Sequence, residues 1–119
     1  MMAQTTEARK TLWTVNDPRG LAISLIEDVW EDHVRKHPEI ADYFEEIKLT
    51  AQEPDEIYFD PVSSARRQVG TSIYSYYRRN LGRGRFKGAL VIVIVKSVQE
   101  TSQRRGYVQS ALLSDRVMK

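Results

Sequence analysis

Hydrophobic positions follow a helical period in the first half of the chain and a strand period in the second. Leu12–Val15 predicts a short strand closed by a turn. Apolar side chains then recur every three or four positions over residues 25–36, and again from Pro38 to Ala51, which predicts two helices. Ser24 lies three residues before a glutamate, and this capping-box spacing predicts the start of the first helix.

Alternating patterns dominate the rest of the chain and predict four antiparallel strands. The third strand carries the run ALVIVIV, which is apolar on both faces and therefore predicts a central position. The predicted fold class is α+β, with two N-terminal helices packed on a four-stranded antiparallel sheet. It forms one domain over residues 12–119, behind a flexible segment at residues 1–11. The predicted strands are Glu56–Asp60, Thr71–Asn80, 87–98 and Gly106–Ser114, with a loop at residues 62–70.

The composition is typical of a globular protein, with 41% hydrophobic and 29% charged residues among 119. There is no cysteine, so the chain offers neither disulfides nor thiolate ligands for a metal. The longest apolar run, Ala89–Val95, is too short to cross a membrane. The first ten residues lack the apolar core of a signal peptide. These features predict a cytoplasmic protein without a membrane partner.

Charge is divided between the two halves of the sequence. Residues 1–60 hold 6 basic and 14 acidic residues, a net charge of −8, whereas residues 61–119 hold 12 basic and 2 acidic residues, a net charge of +10. A concentrated positive region indicates contact with phosphates, as in a nucleic acid. The alternative is that the acidic half neutralises the basic half within the fold.

His33 and His37 are four positions apart, so on a continuous helix both rings would project from one face. One interpretation is structural, with His33 packed beside Trp30 and His37 at the helix end. A second is general acid–base chemistry, which suits an imidazole that titrates near neutral pH. A third is zinc chelation by the pair together with an acidic ligand. The spacing alone leaves all three open.

Aromatic and basic side chains alternate in the second predicted strand. Tyr77 and Arg79 share one face of it, and Tyr76 and Arg78 share the other. An exposed face of this kind offers rings to bases and guanidinium groups to phosphates. The alternative is that the tyrosines fill a small core.

Further basic side chains follow in the glycine-rich hairpin tip and the next strand. Arg83 and Arg85 lie in the tip, where they would either contact a phosphate backbone without reading sequence or simply add solubilising charge. Lys96 ends an apolar strand and would lie at the sheet edge or at the rim of a cleft. Tyr107 and Ser110 supply hydroxyls on the last strand, on opposite faces by simple alternation.

One set of short motifs resembles the phage and bacterial members of the barnase–EndoU–colicin–RelE-like nuclease superfamily. The resemblance extends from about residue 22 to residue 119 and depends on the order and spacing of the motifs. It implies a fold of two N-terminal helices on a four-stranded antiparallel sheet. The motifs are Trp30-x-x-His33-x-x-x-His37-Pro38-Glu39, Pro54-Asp55-Glu56-Ile57, Tyr76-Tyr77-Arg78, the apolar strand ending in Lys96, and Gly106-Tyr107-Val108-Gln109-Ser110-Ala111.

The resemblance also implies an activity, the cleavage of RNA without metal or cofactor through attack of the 2′-hydroxyl on the adjacent phosphorus. It implies proton transfer by His33 or His37, phosphate contacts from Arg78 and Lys96, and a hydrogen bond from Ser110. Tyr77, Arg79, Arg83 and Arg85 are predicted to bind the nucleic acid.

The leading hypothesis is therefore a ribonuclease of toxin or prophage type that acts on RNA and is restrained by an inhibitory partner protein. Two other hypotheses compete with it. One is a non-catalytic RNA-binding or protein-interaction module, and the other is a homodimer in which the acidic and basic surfaces of two copies pair.

Overall fold

The computed structural model describes residues 10–115. Most of the predicted flexible segment, residues 1–9, lies outside them, and Thr11 already belongs to the first strand. Within residues 10–115, six strands and three α-helices follow one another. They are β1 (Thr11–Asn16), β2 (Ala22–Ile26), α1 (Glu27–Lys36), α2 (Phe44–Gln52), β3 (Glu56–Asp60), α3 (Pro61–Ala65), β4 (Thr71–Arg78), β5 (Leu90–Gln99) and β6 (Arg104–Ser114), with 3-10 turns at Pro38–Tyr43 and Gly84–Phe86.

The predicted fold class is wrong, because the sheet has six strands and is mixed. Its strand order is β1-β2-β6-β5-β4-β3, so the last described strand lies in the middle of the sheet. Neighbouring strands pair antiparallel, with the exception of β2 and β6, which run parallel. The four strands predicted from alternating patterns correspond to β3, β4, β5 and β6, which form an antiparallel run. Strands β2 and β1 extend this run at the β6 side.

The strand missed by the sequence analysis is β2, which was assigned to a loop and the start of the first helix. Its central residues Ile23, Ser24 and Leu25 are all buried, so the strand has no polar face to mark its period. Ser24 does not cap a helix; its hydroxyl shares a 2.8 Å hydrogen bond with Thr14 on β1. The N-cap of α1 is Ile26, which makes no side-chain capping bond.

The main core lies between the helices and one face of the sheet. Pro38 opens a 3-10 turn and not a continuous α-helix, and the apolar face predicted for this region is buried from Ile40 to Ala51. These side chains pack on Val91, Val93 and Val95 of β5, which share one face and are fully buried. The opposite face carries a smaller cluster of Tyr77, Leu90 and Ile92.

Two features bring distant parts of the sheet together. The pairing of β2 with β6 ends at Ser24 and Tyr107, where the chain leaves the sheet and continues into α1. Beyond Tyr107, β6 has no strand partner on that side, and α1 lies along this free edge. The sheet also curls. Asp17 follows edge strand β1, yet it hydrogen-bonds to Tyr76 on β4, which is next to the opposite edge strand. No helix among residues 10–115 is long and apolar enough to span a membrane.

Candidate functional site

Lys96 and Tyr107 line a cleft of about 460 Å³ on the sheet face opposite to α2. The two residues are direct partners across the β5–β6 ladder, so their side chains leave the same face next to each other. Polar groups occupy one part of the cleft and apolar side chains the rest. Its lining residues are Ile26, Val29, Lys96, Val98, Glu100, Tyr107, Val108 and Gln109.

A β-bulge in β6 shapes this cleft. Ile94 pairs with Ser110 and Val95 pairs with Val108, so Gln109 is the extra residue. The bulge reverses the alternation, and Ser110 and Tyr107 therefore lie opposite Ile94 and Lys96 on one face. The prediction that these two hydroxyls occupy opposite faces is wrong, because simple counting along a strand assumes an unbroken ladder.

The Tyr107 hydroxyl donates a 2.8 Å hydrogen bond to Oε2 of Glu100. Burial, and then the bond to this carboxylate, raise the pKa of Tyr107 above its ordinary value. The phenol therefore keeps its proton at neutral pH and directs it at the Glu100 carboxylate. Glu100 was not predicted as a site residue; its only signal in the sequence is that it is one of two acidic residues in the basic half.

Lys96 is half-buried, and its ammonium group makes no ion pair or hydrogen bond with any residue between 10 and 115. The apolar side chains of Ile26, Val29 and Val98 line the same cleft, and so does the carboxylate of Glu100. The cleft therefore combines one positive and one negative side chain with an apolar wall, where less water competes for a bound charge than at an open surface. Of the five residues predicted to be catalytic, Lys96 is the one that lines this cleft.

His33 and Ser110 line a separate cavity of about 10 Å³, too small for more than one water molecule. Val29 and Val108 line both cavities, so this one adjoins the cleft. Nε2 of His33 lies 2.5 Å from the carbonyl oxygen of Ala111, to which it can donate a hydrogen bond. This contact holds α1 against the free edge of β6 and supports the structural interpretation of His33.

His37 is exposed at the end of α1, with its ring centroid 5.0 Å from that of His33. Its Nδ1 lies 3.9 Å from a carboxylate oxygen of Glu39. Within residues 10–115, no three His, Cys, Asp or Glu side chains are grouped so that they could hold a metal ion. Neither histidine lines the cleft of Lys96 and Tyr107.

Arg78 is not brought to the cleft. It pairs with Val91, five residues before Lys96 on β5, which places the two about 17 Å apart along the strand, on opposite faces. Its guanidinium donates to the carbonyl of Glu53. Arg79 instead binds carboxylates of Asp55 and Glu56, the latter at 2.9 Å.

The remaining residues predicted to bind nucleic acid have partners within the chain. Tyr77 is fully buried and packs edge-on against Tyr58. Arg83 forms an ion pair with Glu46 and lies over the ring of Tyr43. Arg85 is exposed and lies over the ring of Phe86. Arg79 and Arg83 therefore support the alternative that acidic residues of the first half neutralise basic residues of the second.

Comparison of this chain with protein-family models, curated proteins and solved structures found no match.

Proposed function

We propose that the chain is a metal-independent endoribonuclease and that its reaction takes place in the cleft of Lys96 and Tyr107. The observation that carries the proposal is the hydrogen bond between Tyr107 and Glu100 in a cleft that Lys96 also lines. A proton donor, a proton acceptor and a cation are the groups that cleavage of a phosphodiester by a neighbouring hydroxyl requires. The choice of RNA as the substrate comes from the motif resemblance alone.

The proposed reaction needs no added reagent. The carboxylate of Glu100 takes the proton of the 2′-hydroxyl while the 2′-oxygen forms a bond to phosphorus. The bond from phosphorus to the 5′-oxygen breaks, and the Tyr107 hydroxyl gives its proton to that oxygen. The proton on Glu100 then returns to the Tyr107 phenolate through their hydrogen bond. The products are a 2′,3′-cyclic phosphate and a 5′-hydroxyl, and the protein is unchanged.

Lys96 stabilises the negative charge that develops on the phosphoryl oxygens. A fixed donor or cation at such a site is worth about 3 kcal/mol of the activation free energy. Ile26 and Val98 provide an apolar wall that suits the nucleoside and excludes water, and a volume of about 460 Å³ is that of a small-molecule site.

The proposal gives His33 a positioning role. Its bond to Ala111 fixes α1, and α1 carries Val29, which forms part of the cleft wall. Ser110 lies near the same wall, in the adjoining cavity. Proton transfer is assigned to Tyr107 and Glu100, because these two groups line the cleft and touch each other.

The test is incubation of purified protein with total RNA in excess EDTA, with analysis of the new 3′ ends. We expect wild-type protein to leave 2′,3′-cyclic phosphates. Lys96→Met and Tyr107→Phe should each lower kcat by about 100-fold or more without changing the melting temperature. Lys87→Met, which removes an exposed lysine outside the cleft, is the matched control and should retain full activity.

Two results would contradict the proposal. RNA binding without cleavage by wild-type protein would show a binding module and not an enzyme. Loss of cleavage in His37→Ala with full activity in Tyr107→Phe would move proton transfer from the cleft to the histidine pair.

A further inference from the structure

A second cavity, of about 400 Å³, lies at the same end of the sheet as the cleft but on the other face. Ser97 in its wall follows Lys96 along β5, and successive side chains of a strand point to opposite faces. The sequence analysis singled out none of its charged residues. Its lining residues are Arg19, Gly20, Leu21, Tyr74, Ser97, Gln103 and Arg104.

Arg19 is held in a fixed orientation at this cavity. Its Nε and Nη2 donate to Oδ2 of Asp17 at 3.2 and 3.1 Å, and Nη2 also donates to the Tyr76 hydroxyl at 2.9 Å. Its guanidinium lies 4.7 Å from the centre of the Tyr74 ring. Nη1 has no hydrogen-bond partner in the part of the chain that the structure describes. The guanidinium is therefore ordered before any ligand arrives, which lowers the entropy cost of binding.

Arg104 is held in a similar way. Its Nε donates to the hydroxyl of Ser97 at 3.0 Å, and Nη2 donates to the carbonyls of Gly70 and Ser97 at 2.9 and 3.1 Å. Ser97 itself is only 2% exposed. All the partners of Arg104 among residues 10–115 are neutral, so its charge is uncompensated, and its Nη1 has no hydrogen bond there.

We propose that this cavity binds a phosphate group between Arg19 and Arg104. A guanidinium is planar and presents paired N–H groups that match two oxygens of a phosphate. The cavity holds two guanidinium groups against the one carboxylate of Asp17, so it carries a net positive charge. The phosphate is either part of an RNA strand or part of a free phosphate ester, since both present the same oxygens. The site does not depend on the proposed ribonuclease activity.

The experiment is a titration of ¹⁵N-labelled full-length protein with inorganic phosphate, followed by NMR at the arginine Nε–H signals. We expect saturable shifts at Arg19 and Arg104. Arg104→Gln should weaken the affinity at least tenfold, and Arg104→Lys, which keeps the charge but loses the planar fork, should give an intermediate value. Arg85→Gln removes an exposed arginine elsewhere and should leave the affinity unchanged. Shifts that do not saturate, or that are the same in Arg104→Gln, would overturn the proposal.

Cleavage kinetics identify the source of the phosphate. If the phosphate belongs to the RNA strand, Arg104→Gln raises KM and leaves kcat unchanged. If the site takes a free phosphate ester, the variant loses phosphate affinity while KM stays constant. Lys96→Met should lower kcat by about 100-fold or more and leave the phosphate shifts at Arg19 intact. Failure of the enzyme proposal and failure of the phosphate-site proposal therefore give different results.

Discussion

The hydroxyl of Tyr76 donates a 2.6 Å hydrogen bond to Oδ2 of Asp17, and this bond connects the turn after β1 to strand β4 across 59 positions. The other carboxylate oxygen accepts from the backbone N–H groups of Arg19 and Leu21 at 2.8 and 2.9 Å. The Asp17 side chain is fully shielded from solvent. One carboxylate therefore organises a turn, orients an arginine and fixes the curl of the sheet.

Asp17→Asn should lower the free energy of unfolding by about 1–3 kcal/mol, because it leaves the half-exposed Arg19 guanidinium and the buried Tyr76 hydroxyl without their charged partner. Urea denaturation measures this. Asp32→Asn is the control, since Asp32 pairs with Arg35 and Lys36 at the surface, and its midpoint should stay near that of wild type. Equal midpoints for the two variants would show that the Asp17 network contributes no stability.

Acid should weaken the fold through the same carboxylate. Burial alone raises the pKa of Asp17, but hydrogen bonds from Tyr76, Leu21 and Arg19 outweigh it and hold the pKa below its ordinary value. Below about pH 4 the unfolded chain takes up the proton first, so the stabilisation is present above that pH and is lost as pH falls further. Urea midpoints measured from pH 6 to pH 2 should fall less steeply for Asp17→Asn than for wild type. Parallel curves would contradict the assignment.

The two histidines should differ in their effect on stability. His33→Ala removes the hydrogen bond to Ala111 and part of the α1 contact, at a cost of about 1–2 kcal/mol. His37→Ala changes an exposed side chain and should cost less than about 0.5 kcal/mol. Thermal unfolding of both variants tests the difference. A melting temperature for His33→Ala equal to that of wild type would argue against the structural role.

Glu100 and Tyr107 should act as one unit in cleavage. If the proton passes between them, Glu100→Gln, Tyr107→Phe and the double variant should have similar kcat values, because each interrupts the same transfer. Lys96→Met combined with Tyr107→Phe is the comparison. One variant removes a charge and the other a proton donor, so the fold-losses in kcat of the two single variants should come closer to multiplying in this double variant. Fully multiplicative losses for Glu100 and Tyr107 would reject the shared relay.

Gly106 should not tolerate a side chain. It pairs with Ile23 in the parallel ladder, and an added Cβ would lie 3.0 Å from Ile23, 3.1 Å from Val95 and 3.2 Å from Leu21. Gly106→Ala should destabilise the protein by about 1–3 kcal/mol through overpacking. Amide hydrogen exchange should accelerate in residues 22–24, where β2 meets β6. Unchanged exchange there would show that the core adapts to the extra methyl group.

The sequence pattern predicted strands in which apolar and polar residues alternate. It did not predict a strand that is buried on both faces. Strand β3 was predicted with its observed bounds, Glu56–Asp60. Strand β2 was not, because its buried residues run directly into α1 and extend the apolar spacing of that helix. Its parallel pairing with β6 joins residues more than 80 positions apart, and no local signal encodes such a contact.

The candidate site was predicted in part for similar reasons. Lys96 could be recognised because a lysine at the end of an apolar strand is unusual, and the structure places it in a cleft. Tyr107 could not be placed beside it, because the bulge at Gln109 changes which residues share a face. Arg19 lies in the turn predicted to close the first strand, and the curl of the sheet that brings it to Tyr74 depends on the whole fold.

The central position of β6 also determines when the sheet can be completed during synthesis of the chain. Strand β6 lies between β2 and β5, although it is the last strand to leave the ribosome among those described. Until it arrives, β1 and β2 have no sheet to join, and Tyr107 is missing from the cleft. Completion of the sheet is therefore a late step in folding, and a slow one, because the pairing of β6 with β2 joins residues more than 80 positions apart.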